Sequence, residues 1–548
     1  MRLDLRTVDT LPRLAWVAAI RRNEDTVQVL HGPWVETRED RFFEGAWDGP
    51  FPDGAFDDAL ALMGSGGRID GDRIVFAGPS HKMDRIQSLL AGETLYVSNS
   101  FPLLLARTGE ELDLSYPNYF FDYLRYFRAG IRITVKPVRL RSGNHVYLHD
   151  YCNLAVKRSL AVERLEKRIP PPPSCYQDYA DFLQGTARQV SANATDPARQ
   201  RIFRPVAAIS RGYDSVAVAA LASRANCRRS VTFRHSRTGN GSLEDSGAQI
   251  AAHLGMHIRE YDRADYIKLP GLPEIEFYPA PWIAAKTLTV LEDQLAGSLF
   301  FNGQGGEDYW DATGGVFSLL QEPGALTMSG SNLTEFRLRA GVIVFPLASC
   351  GAIHAPIIAR IGRSSEMKNW SVGGKYDRPI PRRLAEDRGV PRDLFGRRKA
   401  GGAPYVGEIG LCPASDADFG KFCADHIQGK IPSGKQRFRS RIRYLLRRVF
   451  HRRPWSTRLA LRIAGDRLDP RWGSVVRYTF HWSVCRMQER YQRSLQGGSA
   501  LHSAPNSSDL ALTPGAAAPG VAVSRKEPLS LSDADPGPIQ RRHQQQQK

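Results

Sequence analysis

The chain has 548 residues, 42% of them hydrophobic and 24% charged, with a formal net charge of +18. That is the composition of a soluble globular protein with room for two or three domains and ample core. The basic excess permits contact with nucleic acid or an anionic membrane without requiring either. Seven scattered cysteines with no Cys-X-X-Cys pair exclude a disulfide framework or a structural zinc site, and they point to reduced thiols in the cytoplasm.

In chain order, the first residues are too charged for a secretory signal. Residues 1 to about 160 are rich in short strands, such as Thr26–Leu30, Arg73–Ala77 and Thr94–Ser98, most of them beside Gly, Asp or Asn. Leu95–Leu105 reads as a strand running into a helix. Tyr116–Phe127 reads as an aromatic-rich helix, and Arg139–Leu148 as a turn and a strand. Together they predict an α+β sandwich. The run Pro170–Pro173 suits a stiff linker. Ser174–Ala192 reads as an amphipathic helix.

From Arg204 strands and helices alternate, as in a doubly wound parallel sheet. Strands are expected at Val206–Ile209, Arg229–His235, His257–Tyr261 and Ser298–Gly303. Helices are expected from Ala217 and over Leu243–Leu254, the latter ended by Gly255. Gly341–Ala359 is the longest apolar stretch. Its Pro346, His354 and Pro356 predict a buried strand and helix rather than a membrane span. Residues 430–453 are strongly basic and fit either a phosphate-contacting helix or a solvated helical face. After Gly497 the chain is rich in Ser, Ala and Pro and reads as a disordered tail. The expected domains are 1–165, 175–495 and a tail from 496 to 548.

The stretch that carries chemistry is Ser210-Arg-Gly-Tyr-Asp-Ser215. It lies between a short apolar strand and an apolar helix. A strand, a glycine-bearing turn and a helix amino terminus together favour an anion, through free backbone N–H groups and the helix dipole. Gly212 would allow positive φ or a close approach. Ser210 and Ser215 offer hydroxyls, and Ser215 also suits a helix N-cap. Asp214 repels phosphate, so it makes sense as a ligand of Mg²⁺ shared with phosphate. The alternative is an ordinary strand–turn–helix with a serine cap. A second turn, Gly303-Gln-Gly-Gly-Glu-Asp308, follows a strand of its own. Its glycines leave room for a ligand at a strand's carboxyl end, and Glu307 could complete the metal site. The alternative there is a glycine-rich hairpin with solvated acids.

The first turn resembles the pyrophosphate loop of the N-type ATP pyrophosphatases, Ser-Gly-Gly-X-Asp-Ser, with Arg211 at the first glycine. In order, and over roughly residues 1 to 410, the chain is similar to the asparagine synthetase B family. Leu95–Leu105, Tyr123-Leu-Arg-Tyr126 and Ser142–Leu148 resemble landmarks of its glutaminase domain. Both turns, Tyr376–Arg383, Gly389–Phe395 and Arg398–Gly401 follow its synthetase domain. The resemblance implies an N-terminal nucleophile-hydrolase-like αββα sandwich followed by an α/β ATP pyrophosphatase domain. The departures are specific. The family's nucleophilic cysteine follows the initiator Met, and here that position is Arg2. The family's Gly-Glu-Gly-Ser-Asp is Gly303-Gln-Gly-Gly-Glu307. Its Gly-Leu-Glu-X-Arg-X-Pro-Phe-Leu-Asp signature has become the uncharged Ala340–Ala348.

The resemblance implies ATP and Mg²⁺ as cofactors and AMP-forming synthesis of an amide through an acyl-adenylate. Ser210, Gly212, Asp214 and Ser215 would hold pyrophosphate and metal, with Glu307 as second metal ligand. Phe233 and Gly303 would flank adenine and ribose. Lys399 would stabilise the transition states, and Glu335 is a candidate base for an incoming amine. With no thiolate beside Met1, glutamine hydrolysis by the family's route is lost. The expected partners are a small-molecule or peptide carboxylate and an amine or ammonia donor. Nucleic acid and a membrane span are not expected, and a homodimer is compatible. Relatives that close a β-lactam or cyclise a lasso peptide share the missing nucleophile, so a cyclase stays open. A non-catalytic scaffold and a tRNA-modifying pyrophosphatase also stay open.

Overall fold

Short strands whose every second residue turns inward build the amino-terminal part as two facing sheets. The computed structural model describes residues 1–131, 137–236, 243–280, 285–311, 319, 331–374, 376–397, 411–427 and 474–502. Thirteen strands belong to the first part: β1 (Arg2–Thr7), β2 (Trp16–Arg21), β3 (Thr26–His31), β4 (Glu36–Arg38), β5 (Arg41–Trp47), β6 (Leu62–Asp70), β7 (Arg73–Ala77), β8 (Ile86–Ala91), β9 (Thr94–Ser98), β10 (Val138–Arg139), β11 (His145–His149), β12 (Cys152–Lys157) and β13 (Val162–Glu166). One sheet runs β1-β3-β2-β9-β8-β11-β10 and the other β13-β12-β7-β6-β5-β4. Every second residue of β2, β3 and β9 (Trp16, Ala18, Ile20, Val27, Val29, Leu95, Val97) meets Phe42, Ile74, Phe76, Leu154 and Val156 of the opposite sheet. Trp16 stacks on Phe76 at 6.0 Å and takes the edge of Phe42 at 5.0 Å. Helices α1 (Phe101–Thr108) and α2 (Tyr119–Arg128) follow β9, α1 packing back on β8 and β9. Ser100 caps α1 by accepting from the Leu103 amide at 3.1 Å.

The second part begins with α3 (Tyr176–Ala194). Pro170, in the run before it, is buried and its carbonyl meets His354 at 2.7 Å. The strands β14 (Arg204–Ala208), β15 (Arg229–Phe233), β16 (His257–Tyr261), β17 (Ser298–Phe301) and β18 (Ile343–Phe345) are all parallel, in the order β16-β15-β14-β17-β18. The described residues therefore form a mixed α/β fold with three sheets, one of them wholly parallel. Helix α4 (Tyr213–Ser223) follows β14 and is buried from Val216 to Ser223, wedged between the sheet, α3 and α10 (Pro379–Glu386). A helix apolar on all sides is a core helix. The short helix α6 (Glu292–Leu295) precedes β17. The apolar stretch at 341–359 forms β18 and leads into α9 (Ala355–Gly362). Among the described residues no helix is long and apolar enough to cross a membrane.

Two expectations need correction. The helix expected over 243–254 is only α5 (Ala248–His253). Residues Glu244 and Ser246 instead bridge to His235 and Ser210, and Asp245 accepts the Arg211 amide. Those backbone groups are taken by the neighbouring loop rather than by a helix. The tail expected from 496 starts as helix, because α12 (Ser474–His502) runs through it. A docked helix propagates cheaply, one hydrogen bond per added residue. The rest of the tail and the basic stretch 430–453 lie outside the described residues.

Helix α12 returns to the sandwich, with α11 (Pro413–Ile427) packed against it. Its Phe480 packs against Phe101 of α1 and Tyr119 and Tyr123 of α2, while Trp482 faces Phe419 of α11 and Tyr278. Gln488 donates to the Glu110 carbonyl at 2.8 Å, and Thr10 to that of Ser494 at 2.8 Å. At its centre Tyr491 donates to Glu335 at 2.7 Å, and Ser100 donates to both Glu335 oxygens at 2.9 and 3.0 Å. Burial raises the Glu335 carboxyl from 4.5 to about 7, against the lowering effect of the two hydroxyl donors. The folded state thus binds this proton more tightly than the unfolded chain. Its contribution to stability is present below pH 4.5 and is lost as pH rises to about 7. In Glu335→Gln, thermal melts across this window are expected to lose that part of the slope, so that the gap from wild type narrows as pH rises. An unchanged slope would show that Glu335 is not the titrating group.

Candidate functional site

In the parallel sheet, connections from β14 lead to β15 and β16 on one side, while β17 and β18 lie on the other. The strand order therefore reverses between β14 and β17, which pair directly through Arg204–Ala207 and Ser298–Phe301. Open α/β sheets leave a crevice at the carboxyl ends of such a pair, because adjacent connections diverge there. Both sequence-predicted turns leave from this place. The Ser210–Ser215 turn follows β14 and the Gly303–Asp308 turn follows β17.

The two turns touch. A Cβ on Gly303 would lie 2.6 Å from the Ser215 amide nitrogen and 2.7 Å from the Asp214 carbonyl carbon. A Cβ on Gly306 would lie 2.7 Å from Asp214 Cγ. Only glycine lets the backbones approach so closely. Glu307 is the next residue, within α7 (Gly306–Tyr309). Ser210, Gly212, Asp214, Ser215 and Gly303 are thus brought together, with Glu307 one residue beyond the contact.

The first turn is closed on itself. The Ser210 and Ser215 hydroxyls lie 2.8 Å apart. The Ser210 amide donates to Ser215 Oγ at 3.1 Å, and the Gly212 amide donates to Ser210 Oγ at 3.2 Å. The Arg211 amide donates to Asp245 at 3.0 Å, and its guanidinium reaches Glu244 at 2.9 Å. This arginine turns away from the second turn toward Glu244 and Asp245. Gly212 does not use its freedom: it is extended at φ −80°, and its absent Cβ would meet only Ser210 Oγ at 3.4 Å. Gly212, not Ser215, occupies the N-cap position, and Ser215 stands inside the first turn of α4.

Asp214 faces a partner that sequence reasoning missed. Arg378, just before α10, donates Nη1 to both Asp214 oxygens, at 2.8 and 2.6 Å. The Arg378 side chain is 2% exposed. Burial works to lower its pKa, but the attraction and hydrogen bond of Asp214, with smaller pulls from Tyr376 and Asp311, raise it overall. Arg382, one turn along α10, donates to the buried Tyr213 hydroxyl. Tyr376 packs on the Tyr213 ring at 4.9 Å. The signal for these residues was the arginine-rich, proline-flanked Tyr376–Arg383 itself, whose cations have no value on a solvent face beside so apolar a helix as α4.

The described residues among the other predicted ones have partners of their own. Phe233 ends β15 in a core with Val206, Val231 and Phe300, and the Arg263 guanidinium covers its ring at 4.0 Å. Burial lowers the Arg263 pKa to about 10, with Asp245 opposing. Glu335 has its oxygens taken by Ser100 and Tyr491. Lys399 lies outside the described residues. Arg2 donates to Thr26 on the exposed edge strand β1. Cys152, the cysteine nearest Met1 in sequence, is buried, and burial raises its thiol pKa away from the reactive thiolate.

Mg²⁺ demands a tight octahedral oxygen shell. Here Arg378 already spans both oxygens of Asp214, and among the described residues no three His, Cys, Asp or Glu side chains group to hold a metal. The arrangement fits a carboxylate neutralised by arginine and does not fit Mg²⁺. Arg378 Nε is buried with no hydrogen-bond partner among the described residues, and such a donor suits an oxyanion. The chain matches no protein-family model and no curated protein.

Proposed function

We propose that the protein makes amide bonds with ATP, as an AMP-forming, asparagine synthetase-like ligase that takes ammonia or a substrate amine in place of glutamine. One observation carries the reading. Two glycine-bearing turns from adjacent parallel strands close on one carboxylate, Asp214, at the reversal of strand order. In the proposed reaction a substrate carboxylate oxygen attacks the α-phosphorus of ATP, and the bond to pyrophosphate breaks. An amine then attacks the acyl carbon, AMP leaves, and one proton is released. Negative charge builds on the phosphates in the first step. Arg378, the dipole of α4 and the Ser210 and Ser215 hydroxyls are the groups suited to stabilise it.

The test is ATP–pyrophosphate exchange with a panel of free acids and peptide carboxylates. Wild type is expected to exchange with at least one, and Asp214→Ala to lose at least about tenfold, since it removes the carboxylate that positions Arg378. No exchange with any acid would remove the ligase reading. A second reading has its own support: the Ser210, Arg211 and Gly212 amides are already bonded within the protein. That favours a site that binds nucleotide without turning it over. Nucleotide binding in calorimetry with no exchange would select it.

A further inference from the structure

We propose that Arg378 is the oxyanion receptor of this site, holding a phosphate-bearing ligand against Asp214 without a divalent cation. The inference rests on the reading of the two turns as a phosphate site and names the group that does the holding. Phosphate cannot approach Asp214 unless the carboxylate is neutralised. Arg378 does this with a single nitrogen, because Nη1 alone serves both Asp214 oxygens. Nε of the guanidinium is left over, buried and, among the described residues, without a hydrogen-bond partner.

An arginine kept only to pair with Asp214 would be expected to use its whole fork, as Arg337 does with Glu44 through two nitrogens at 2.7 and 3.0 Å. A buried N–H with no partner is costly and persists where something else is to fill it. The planar fork of arginine suits phosphate oxygens in particular. Several competing donors of the first turn are occupied, since the amides of Ser210, Arg211 and Gly212 are bonded inside the protein. Asn302 Nδ2 and Arg382 Nε are, like Arg378 Nε, buried without a hydrogen-bond partner among the described residues, and they are candidates to join Arg378 at the same oxyanion. Arg378 is also held still. Pro379 follows it, Arg382 bonds Tyr213, and the Tyr376 ring lies 5.3 Å from its guanidinium carbon. A receptor fixed before its ligand arrives loses little binding energy in ordering itself.

Two consequences follow for the full-length protein. Inorganic pyrophosphate, or ATP, should bind in the presence of EDTA. Asp214 should bind Mn²⁺ poorly while Arg378 covers it. The experiment is calorimetry with pyrophosphate and ATP, in EDTA and in MgCl₂, together with Mn²⁺ titration followed by electron paramagnetic resonance. Arg378→Gln is expected to weaken pyrophosphate binding in EDTA at least about tenfold and to tighten Mn²⁺ binding by freeing the carboxylate. Arg378→Lys, which keeps the charge and loses the fork, should fall between. If Arg378→Gln does not fold, the neutral pair Asp214→Asn/Arg378→Gln, checked by near-ultraviolet circular dichroism, should show the same loss of pyrophosphate binding. Wild-type binding that vanishes in EDTA, or that survives Arg378→Gln undiminished, overturns the inference and leaves the phosphate site standing. Failure of wild type to bind either ligand, with or without metal, overturns both.

Discussion

Gly303→Ala is expected to cut ATP–pyrophosphate exchange at least about a hundredfold while leaving most of the fold intact. The added methyl would meet the Ser215 amide nitrogen, the Asp214 carbonyl carbon and Asp214 Cβ, at 2.6, 2.7 and 3.0 Å. None of these is the loose end of a flexible side chain. The backbone at the start of α4 must therefore move, and α4 is packed on every side from Val216 onward. The relief left is to drive the second turn away from Asp214. A displacement of an ångström in such a place costs about a hundredfold in rate when the turns position the reacting groups. The stability cost is that of local overpacking, about 1–3 kcal/mol. Gly212→Ala is the control. Gly212 is already extended, and its methyl would touch only Ser210 Oγ at 3.4 Å. Exchange should survive there. Equal exchange in Gly303→Ala and wild type would show that the contact between the turns has no part in the reaction.

The same pair of glycines shows how far the sequence could be read. Gly303 was legible, because a glycine turn after an apolar strand announces a close approach. Gly212 looked equivalent and is not, because a glycine's presence does not say whether its freedom is used. The first sheets were legible where apolar and polar residues alternate, as in β3 and β9, and where a short apolar run stands alone, as in β7, and so was the parallel sheet of apolar strands after Arg204. The stretch Leu243–Gly247 carries helical periodicity into α5, but Asp245 is claimed by the Arg211 amide across the crevice. A contact between residues 34 positions apart leaves no trace in local periodicity. Arg378 was hidden for the same reason. Its partner is 164 residues away, and in the sequence it is one cation in a run of them. Glu335 shows the reverse error. The family resemblance offered it as a base, yet the fold turns it toward Ser100 and Tyr491, between α1 and α12.

Arg337→Met is expected to destabilise the protein by about 3–5 kcal/mol, the usual cost of removing one partner from a buried ionic cluster. Arg337 lies on α8 (Thr334–Ala340), a helix of the second part with nearly every residue buried. Its guanidinium crosses into the sandwich, grips Glu44 of β5 with two nitrogens and gives Nε to Asp84. Glu44 also accepts from Ser65 at 2.8 Å and Asn99 at 3.2 Å, and Asp84 from Thr334 at 2.9 Å. Burial holds the Glu44 carboxyl above its ordinary range, and repulsion from Asp84 adds to it, while attraction to Arg337 pulls the other way. Without the arginine, two carboxyls face each other in a dry interior with too few donors. The denaturation midpoint in urea should drop sharply. Adding Glu44→Gln and Asp84→Asn to Arg337→Met removes both charges and should recover much of the loss, because the penalty is that of unpaired charge rather than of lost attraction. A single Arg337→Met variant as stable as wild type would mean that water or rearrangement satisfies those carboxyls. In that case the joint between β5 and α8 would be held by apolar packing, and the cluster would be incidental to how the two parts are joined.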